Sequence, residues 1–362
     1  MINLVTRRKT KNIRVGNVGI GSDYPISIQS MTNTDTRDVN KTIEQIKNLT
    51  AEGCEIIRVA VPDAEAASCL KNICLLSPIP VIADIHFDYK LALIAMENGI
   101  SGLRINPGNI GSKQKVQEVV KSAQYHNVPI RIGVNAGSLE KELLVKYQGV
   151  TADALVESAL GHVGILEDLN FDKIKISLKA SNVPLMIEGY RKIAEKVPYP
   201  LHLGVTEAGN LKYGTVKSAV GIGALLAQGI GDTIRVSLTG DPLQEIPVAK
   251  EILRSLGLKK YGVEIISCPT CGRCQIDLEK LVEEVDRSIG DLQKPLKIAI
   301  MGCAVNGPGE AREADLGIAG GKGEGLIFKK GQVIAKVGEK ELLPAFIEEI
   351  KKMGRSDKNE ND

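Results

Sequence analysis

Eight short apolar segments recur along the first 240 residues: ISIQSM, IIRVAV, VIADIH, GLRINP, IRIGVN, KIKISL, LHLGVT and TIRVSL. They begin about 30 residues apart, which leaves room for one helix in each interval, as over residues 39–52, 113–126, 153–169 and 214–228. Near-continuous Val, Ile and Leu strands that alternate with helices belong to a parallel sheet. Eight such units in about 250 residues predict an α/β chain whose sheet closes into a (β/α)8 barrel. A doubly wound open sheet is the alternative, but no strand here is followed by a dinucleotide glycine fingerprint. The glycines of 221–229 precede a strand instead.

The rhythm changes after Leu258. The segment IISCPTCGRC, an amphipathic helix over 277–289, the strand KIAIMG and a glycine-rich loop come next, followed by a hairpin turning at Lys329-Lys330-Gly331-Gln332 and a closing helix over 339–353. The expected organisation is a barrel over 1–258 that binds substrate, a small α+β unit over 259–354, and a polar tail over 355–362.

Composition narrows the function. Lys plus Arg at 46 against Asp plus Glu at 44 leaves a net charge of +2, so there is no general basic field for nucleic acid or membrane, and any anion site must be local. Four Phe, eight Tyr and no Trp leave few platforms on which bases could stack. The N-terminus lacks the apolar run of a secretory signal, and no stretch of about 18 apolar residues occurs. Seven cysteines, three of them between positions 268 and 274, do not form the framework of a small secreted fold. A cytoplasmic small-molecule enzyme with free or metal-bound thiols is expected.

Side chains alternate along a strand, so polar residues two apart share a face. Within the apolar segments such residues recur: Arg58; Asp84 and His86; Arg104 and Asn106; Arg131 and Asn135; Ser177 and Lys179; His202 and Thr206; Arg235 and Ser237. Unpaired buried charge is costly, so this series predicts a solvated cavity at the C-terminal ends of the strands, where such barrels carry their sites. The cations Arg58, Arg104, Arg131, Lys179 and Arg235 outnumber Asp84 and Glu207 by three. That surplus suits a diphosphate, because guanidinium forks pair with phosphate oxygens. The bland alternative is that they pair with carboxylates at the rim. The loop 106–111 offers backbone N–H groups at a helix start, as a phosphate cradle or as a plain turn. Glu207, just beyond the seventh strand, is the carboxylate placed for proton transfer. His126 and His162 fall in expected helices and read as surface or packing residues.

Cys268 and Cys271 have ligand spacing, and Cys303 follows the strand KIAIMG. Iron–sulfur and structural zinc compete. Zinc usually draws on a second close pair, which Cys303 lacks, whereas a cubane cluster accepts one remote ligand. Spacing alone nominates Cys274 as the fourth. Cys54, Cys69 and Cys74 read as small hydrophobes.

The motifs QSMTNTDT (29–36), RVAVPD (58–63), ADIHFDY (83–89), LRINPGNIG (103–111), RIGVNAGSL (131–139), HLGVTEAG (202–209), SCPTCGR (267–273) and MGCAVNGPGEA (301–311) together resemble the (E)-4-hydroxy-3-methylbut-2-enyl diphosphate synthases of the methylerythritol phosphate route to isoprenoids. The likeness spans essentially the whole chain and matches the shorter bacterial form. It implies a [4Fe-4S] cluster on Cys268, Cys271, Cys303 and Glu310, and Cys274 is a departure that keeps an all-cysteine set open. The resemblance further implies a reductive ring opening of 2-C-methyl-D-erythritol 2,4-cyclodiphosphate, with Glu207 assisting protonation. Flavodoxin or ferredoxin would be the electron donor, and the assembly a head-to-tail homodimer in which one subunit's cluster domain caps the other's barrel. Two other classes stay in view. One is a barrel aldolase or synthase for another phosphorylated substrate, carrying a structural zinc. The other is a bare electron carrier, which would leave the basic barrel without a purpose.

Overall fold

The computed structural model describes residues 5–290, 292, 294–303, 309 and 312–355. The chain divides into two compact units, residues 1–259 and 260–362.

Short polar side chains start the helices between the strands of the first unit. Asp38, Asp63, Asp88, Asn182 and Asn210 each accept a backbone N–H from the first turn of the helix that follows, satisfying donors that have no partner within the helix. Each helix then turns an apolar stripe inward, as Ile43, Ile46 and Leu49 do on Val39–Ala51.

A hairpin opens the unit, β1 (Ile13–Val15) against β2 (Val18–Ile20), turning at Gly16 with φ +58°. The barrel strands follow: β3 (Ser27–Met31), β4 (Ile56–Ala60), β5 (Val81–Asp84), β6 (Gly102–Ile105), β7 (Ile130–Asn135), β8 (Ile174–Lys179), β9 (His202–Leu203) and β10 (Thr233–Ile234). Their order is β8-β7-β6-β5-β4-β3-β10-β9, every neighbouring pair parallel. A parallel bridge from Ile176 to Leu201 joins the two ends, so the sheet closes into the (β/α)8 barrel that the spacing predicts. The register sets Asp84 beside Arg104, Arg104 beside Arg131 and Arg131 beside Lys175.

The hairpin plugs the N-terminal end of the barrel. Ile13, Val15 and Ile20 pack with Ile56 and Ile82, and a Cβ on Gly102 would lie 3.1 Å from Ile82 and 3.5 Å from Val15. Arg7 and Arg8 strap the same unit, Arg7 onto Asp232 at 2.7 Å and Arg8 onto the carbonyls of Ala194 and Tyr199.

The second unit is a five-stranded sheet in sequential order: β11 (Val263–Ser267), β12 (Leu296–Met301), β13 (Leu316–Gly320), β14 (Glu324–Lys329) and β15 (Gln332–Gly338). The pairs β11–β12 and β12–β13 are parallel, the later two antiparallel. Helices Leu278–Ile289 and Glu339–Arg355 contribute Val285, Leu342 and Phe346 to a core with Ile298, Ile300, Ile318 and Ile327. One difference from the sequence reading is β13, which falls in the stretch expected to be a glycine-rich loop. Its glycines serve packing: a Cβ on Gly317 would meet the Phe328 ring at 2.2 Å, and one on Gly320 would meet Ile276 at 2.6 Å.

Candidate active site and cysteine turn

At the C-terminal end of the barrel a cavity of about 540 Å³ is lined by Arg58, Asp84, Arg104, Lys179, Glu207 and Arg235, with His86, Asn135, Ser138, Ser181, Thr206 and Ser237 around them. The period of two explains the gathering, since β4 to β8 each carry an inward polar side chain at or near the C-terminal end, Arg58, Asp84, Arg104, Asn135 and Lys179.

Asp84 is the anchor. It is 5% exposed, its Oδ1 accepts from Arg104 Nη1 at 3.0 Å, and its Oδ2 lies 3.5 Å from Arg58 Nε. Burial alone would push its carboxyl up, but Arg58, Arg104 and Arg131 together outweigh burial and hold it below the usual carboxylate range. Burial pushes the Arg58 guanidinium down to about 10, which leaves it charged at neutral pH. Arg58 also donates to the Met31 thioether, Nη2 to Sδ at 2.9 Å, and Arg235 Nη1 lies 3.7 Å from the same sulfur. Arg235 Nη2 reaches Glu245 Oε1 at 3.5 Å, and Glu245 accepts from Ser30 Oγ at 2.9 Å. His86 is exposed at the rim, with Nε2 3.2 Å from Arg104 Nη1. Arg104 also spans Gly133, whose missing Cβ would fall 2.6 Å from its Nε.

Of the five cations read from the strands, Arg131 and Lys179 have no carboxylate partner among the described residues. Arg131 is 2% exposed, and none of its three guanidinium nitrogens has a hydrogen-bond partner. Burial, then the charges of Arg58 and Arg104, works against its ionised form. Guanidinium keeps its proton in proteins, so the group is a buried charge with no hydrogen-bonded counterion among the described residues. Lys179 is partly buried, and burial ahead of Arg58 and Arg131 drives its ammonium well below the ordinary value. Glu207 is exposed and has no cationic partner among the described residues. Its backbone sits at φ +52°, a left-handed conformation that ordinary side chains avoid and that collects at functional sites.

In the second unit, β11 and β12 end side by side, Ser267 paired with Ile300, so Cys268 and Gly302-Cys303 leave the sheet at one end. The Gly302 N–H donates to Cys268 Sγ at 3.2 Å, and the Gln275 N–H to the Gly302 carbonyl at 3.0 Å. Cys271 is exposed, and the Arg273 backbone N–H holds its thiol below the ordinary value, favouring thiolate. Cys274 turns inward: its thiol donates to the Ile276 carbonyl at 3.2 Å, packs against the core, and would stand 2.4 Å from a Cβ at position 302. Among the described residues, no three His, Cys, Asp or Glu side chains are gathered closely enough to hold a metal ion. Glu310 lies outside the described residues. A thiolate-favouring turn and a backbone N–H aimed at a sulfur suit an iron–sulfur cluster, whose sulfurs take such hydrogen bonds.

The model of the GcpE TIM-barrel domain matches residues 10–250, and that of the GcpE protein C-terminal domain matches residues 264–352. The chain belongs to the GcpE family. The 4-hydroxy-3-methylbut-2-en-1-yl diphosphate synthase (flavodoxin) of Clostridium acetobutylicum is 61% identical over 347 residues, covering 96% of this chain and 99% of that protein. The protein of the same name from Clostridium tetani is 62% identical over 345 residues, covering 95% and 99%. Among solved structures, the N-acetylneuraminic acid synthetase of Leptospira borgpetersenii superposes with a TM-score of 0.50 at 12% identity, over 70% of this chain and 91% of that one, a likeness of fold.

In this GcpE chain the cavity brings together Arg58, Asp84, His86, Arg104, Asn135, Lys179, Glu207, Arg235 and Ser237. The other residues read from the strands do not line it. Arg131, Ser177 and His202 are buried inside the barrel, Ser177 donating to the Ile132 carbonyl and His202 Nδ1 2.7 Å from Thr233 Oγ1. Asn106 is buried at the end of β6, its Oδ1 without a partner. In the loop 106–111 the Gly108 N–H is bonded to His162 Nδ1 and the Asn109 N–H to the Asn106 carbonyl, so these two amides are not open to phosphate. His162 itself is a bonded polar residue and not inert packing.

Met31, Glu245, Ser138 and Ser181 also stand in or beside this end of the barrel, Lys175 lies buried within the barrel, and none of the five is among the residues the strand pattern singles out. Met31 stands two residues after the buried Gln29 in ISIQSM, and Lys175 two before Ser177, so the same alternation could have found both. Glu245 begins a helix beyond β10, and nothing local marks it as a partner of Arg235.

Proposed function

We propose that this chain carries out the two-electron reductive ring opening and dehydration of 2-C-methyl-D-erythritol 2,4-cyclodiphosphate to (E)-4-hydroxy-3-methylbut-2-enyl diphosphate, a step of isoprenoid biosynthesis. The observation that carries this reading is Lys179, without a carboxylate partner among the described residues, beside Arg58, Arg104 and Arg235 at the barrel mouth, with the unpaired Arg131 buried behind them. Membership of the GcpE family and the names of its relatives support it.

In this reading the four arginines and Lys179 hold the diphosphate, with Arg131 closing the site from beneath. Asp84 fixes the forks of Arg58 and Arg104, and Glu245 that of Arg235, so the donors are in place before substrate arrives. Asn106, Asn135, Ser177, Ser237, His86 and His202 complete the polar surround. Asp84 is committed to arginines, whereas Glu207 is free to hold and release a proton at the oxygen that departs as water. When bound, a [4Fe-4S] cluster on Cys268, Cys271, Cys303 and Glu310 supplies electrons one at a time. The inward Cys274 thiol supports Glu310 as the fourth ligand. Flavodoxin as donor, a head-to-tail homodimer and a cytoplasmic setting belong to the same proposal. Among the described residues no helix is long and apolar enough to cross a membrane.

The test is purification without oxygen, with an absorption spectrum and iron and sulfide analysis, followed by turnover of the cyclodiphosphate with flavodoxin or a chemical reductant. Brown protein, bleached by reductant and forming the linear diphosphate, is expected. Colourless protein carrying one zinc would overturn the reading in favour of an aldolase-type barrel.

A further inference from the structure

His162 lies on the inner face of the helix Ala152–Glu167 and is 4% exposed. Its Nδ1 accepts the Gly108 N–H at 3.2 Å, and its Nε2 lies 3.0 Å from Glu140 Oε1, which also accepts from Ser158 Oγ at 3.0 Å. Gly108 belongs to the turn Pro107–Ile110 directly after β6. Glu140 ends the segment after β7 whose residues Asn135 to Ser138 line the cavity. The fit at Gly108 is tight, because a Cβ there would come within 2.5 Å of the imidazole Cε1. One ring thus ties together two loops at the mouth of the barrel, neither of them on its own helix.

We propose that His162 is a positioning residue whose neutral imidazole pins the β6 and β7 loops around the anion pocket. The inference rests on the reading of that pocket as a diphosphate site. The tautomer follows from the contacts. A ring nitrogen that accepts an N–H carries no proton, so the single proton of the neutral ring lies on Nε2, which stands 3.0 Å from Glu140 Oε1 without being aligned as a hydrogen bond to it. A second proton on Nδ1 would set donor against donor at Gly108 and release the turn. Burial lowers the His162 pKa, ahead of Glu140, which raises it, so the net shift favours the neutral form. Among the described residues Glu140 is the charged group set against the ring; the β6 turn presents only backbone, and Ser158 is spent on Glu140. A histidine pKa lowered by folding contributes stability above its unfolded value of about 6.5, and that contribution is lost as pH falls toward the lowered folded value. The loops therefore tighten toward neutral pH and loosen in acid.

The test follows the Gly108 amide by nitrogen-15 NMR and hydrogen exchange in the full chain, with calorimetric titration of the cyclodiphosphate as a second readout. His162→Asn keeps an acceptor in place of Nδ1 but cannot titrate, and His162→Leu removes both contacts. The wild-type amide is expected to be protected near neutral pH and to lose protection below about pH 6, while His162→Asn stays protected throughout. The Leu variant is expected to be unprotected at every pH and to bind substrate about fivefold more weakly, the worth of one hydrogen bond. Equal protection of Gly108 in all three proteins, or an acid loss that persists in His162→Asn, would overturn the proposal. Should the wild type fail to bind the cyclodiphosphate, the diphosphate reading falls, while the amide measurements still decide whether His162 pins the turn.

Discussion

The two ends of the barrel are built from the same strands, and two residues along a strand separate packing from chemistry. In β4, Ile56 packs against the N-terminal plug and Arg58 lines the cavity; in β5 the pair is Ile82 and Asp84, and in β6 it is Gly102 and Arg104. The floor is sealed by Ile13, Val15 and Ile20 of the hairpin, while the mouth opens on about 540 Å³ lined by charge. Burying charge without a partner is costly, so its concentration at one end marks where the fold accepts a penalty that, in the proposed function, a bound diphosphate would remove. Two buried cations break the pattern, since Arg131 and Lys175 both border a gap of about 10 Å³ with Val15 and Ile82. Lys175 is 2% exposed, and its Nζ has no hydrogen-bond partner among the described residues. Burial, then Arg131, drives its ammonium well below the ordinary value.

The contrast breaks most severely at Asp84. Asp84→Ala is expected to cost roughly 3–5 kcal/mol in denaturant unfolding, because it strands two buried guanidinium groups, and to abolish diphosphate binding with them. The sign with pH follows from the lowered carboxyl: its contribution is complete above the usual carboxylate range and is lost as pH falls below about 4. The variant should therefore show a flatter acid limb in stability against pH, and an unchanged limb would contradict the anchoring role.

At the floor, Ile82→Ala should lower stability by about 2–4 kcal/mol while leaving affinity for the cyclodiphosphate as in the wild type. Weakened binding at preserved fold would show that the two ends are not separable. The smallest effect has the opposite sign. Lys175→Met replaces an unsatisfied buried amine with an apolar chain and should raise stability by roughly 1–3 kcal/mol. Because the folded state disfavours the protonated lysine, that gain should shrink as pH rises toward about 10. Thermal unfolding of both proteins at neutral and alkaline pH reads the difference directly.

What the sequence made legible was local. The eight strands and the polar steps from Arg58 to Ser237 follow from a period of two within short apolar runs, and the helices from the intervals and their capping residues. Contacts between distant segments left no such trace. Glu245 meets Arg235 across ten residues and a loop, and His162 meets Gly108 across 54, so neither pairing has a signature in its own neighbourhood. The three-residue strands β1 and β2 are too short to announce themselves. In β13 the glycines that signal a loop are there because Phe328 and Ile276 leave no room for a Cβ.

The most direct test of the mouth as a diphosphate site is calorimetric titration of 2-C-methyl-D-erythritol 2,4-cyclodiphosphate into the wild-type chain and into Arg131→Met, with thermal unfolding measured on the same samples. Arg131 has no hydrogen-bond partner among the described residues, so its loss is expected to weaken binding on the order of 100-fold while stability holds or rises. Binding that survives the substitution, together with a loss of stability, would show Arg131 to be a structural charge and would contradict the account.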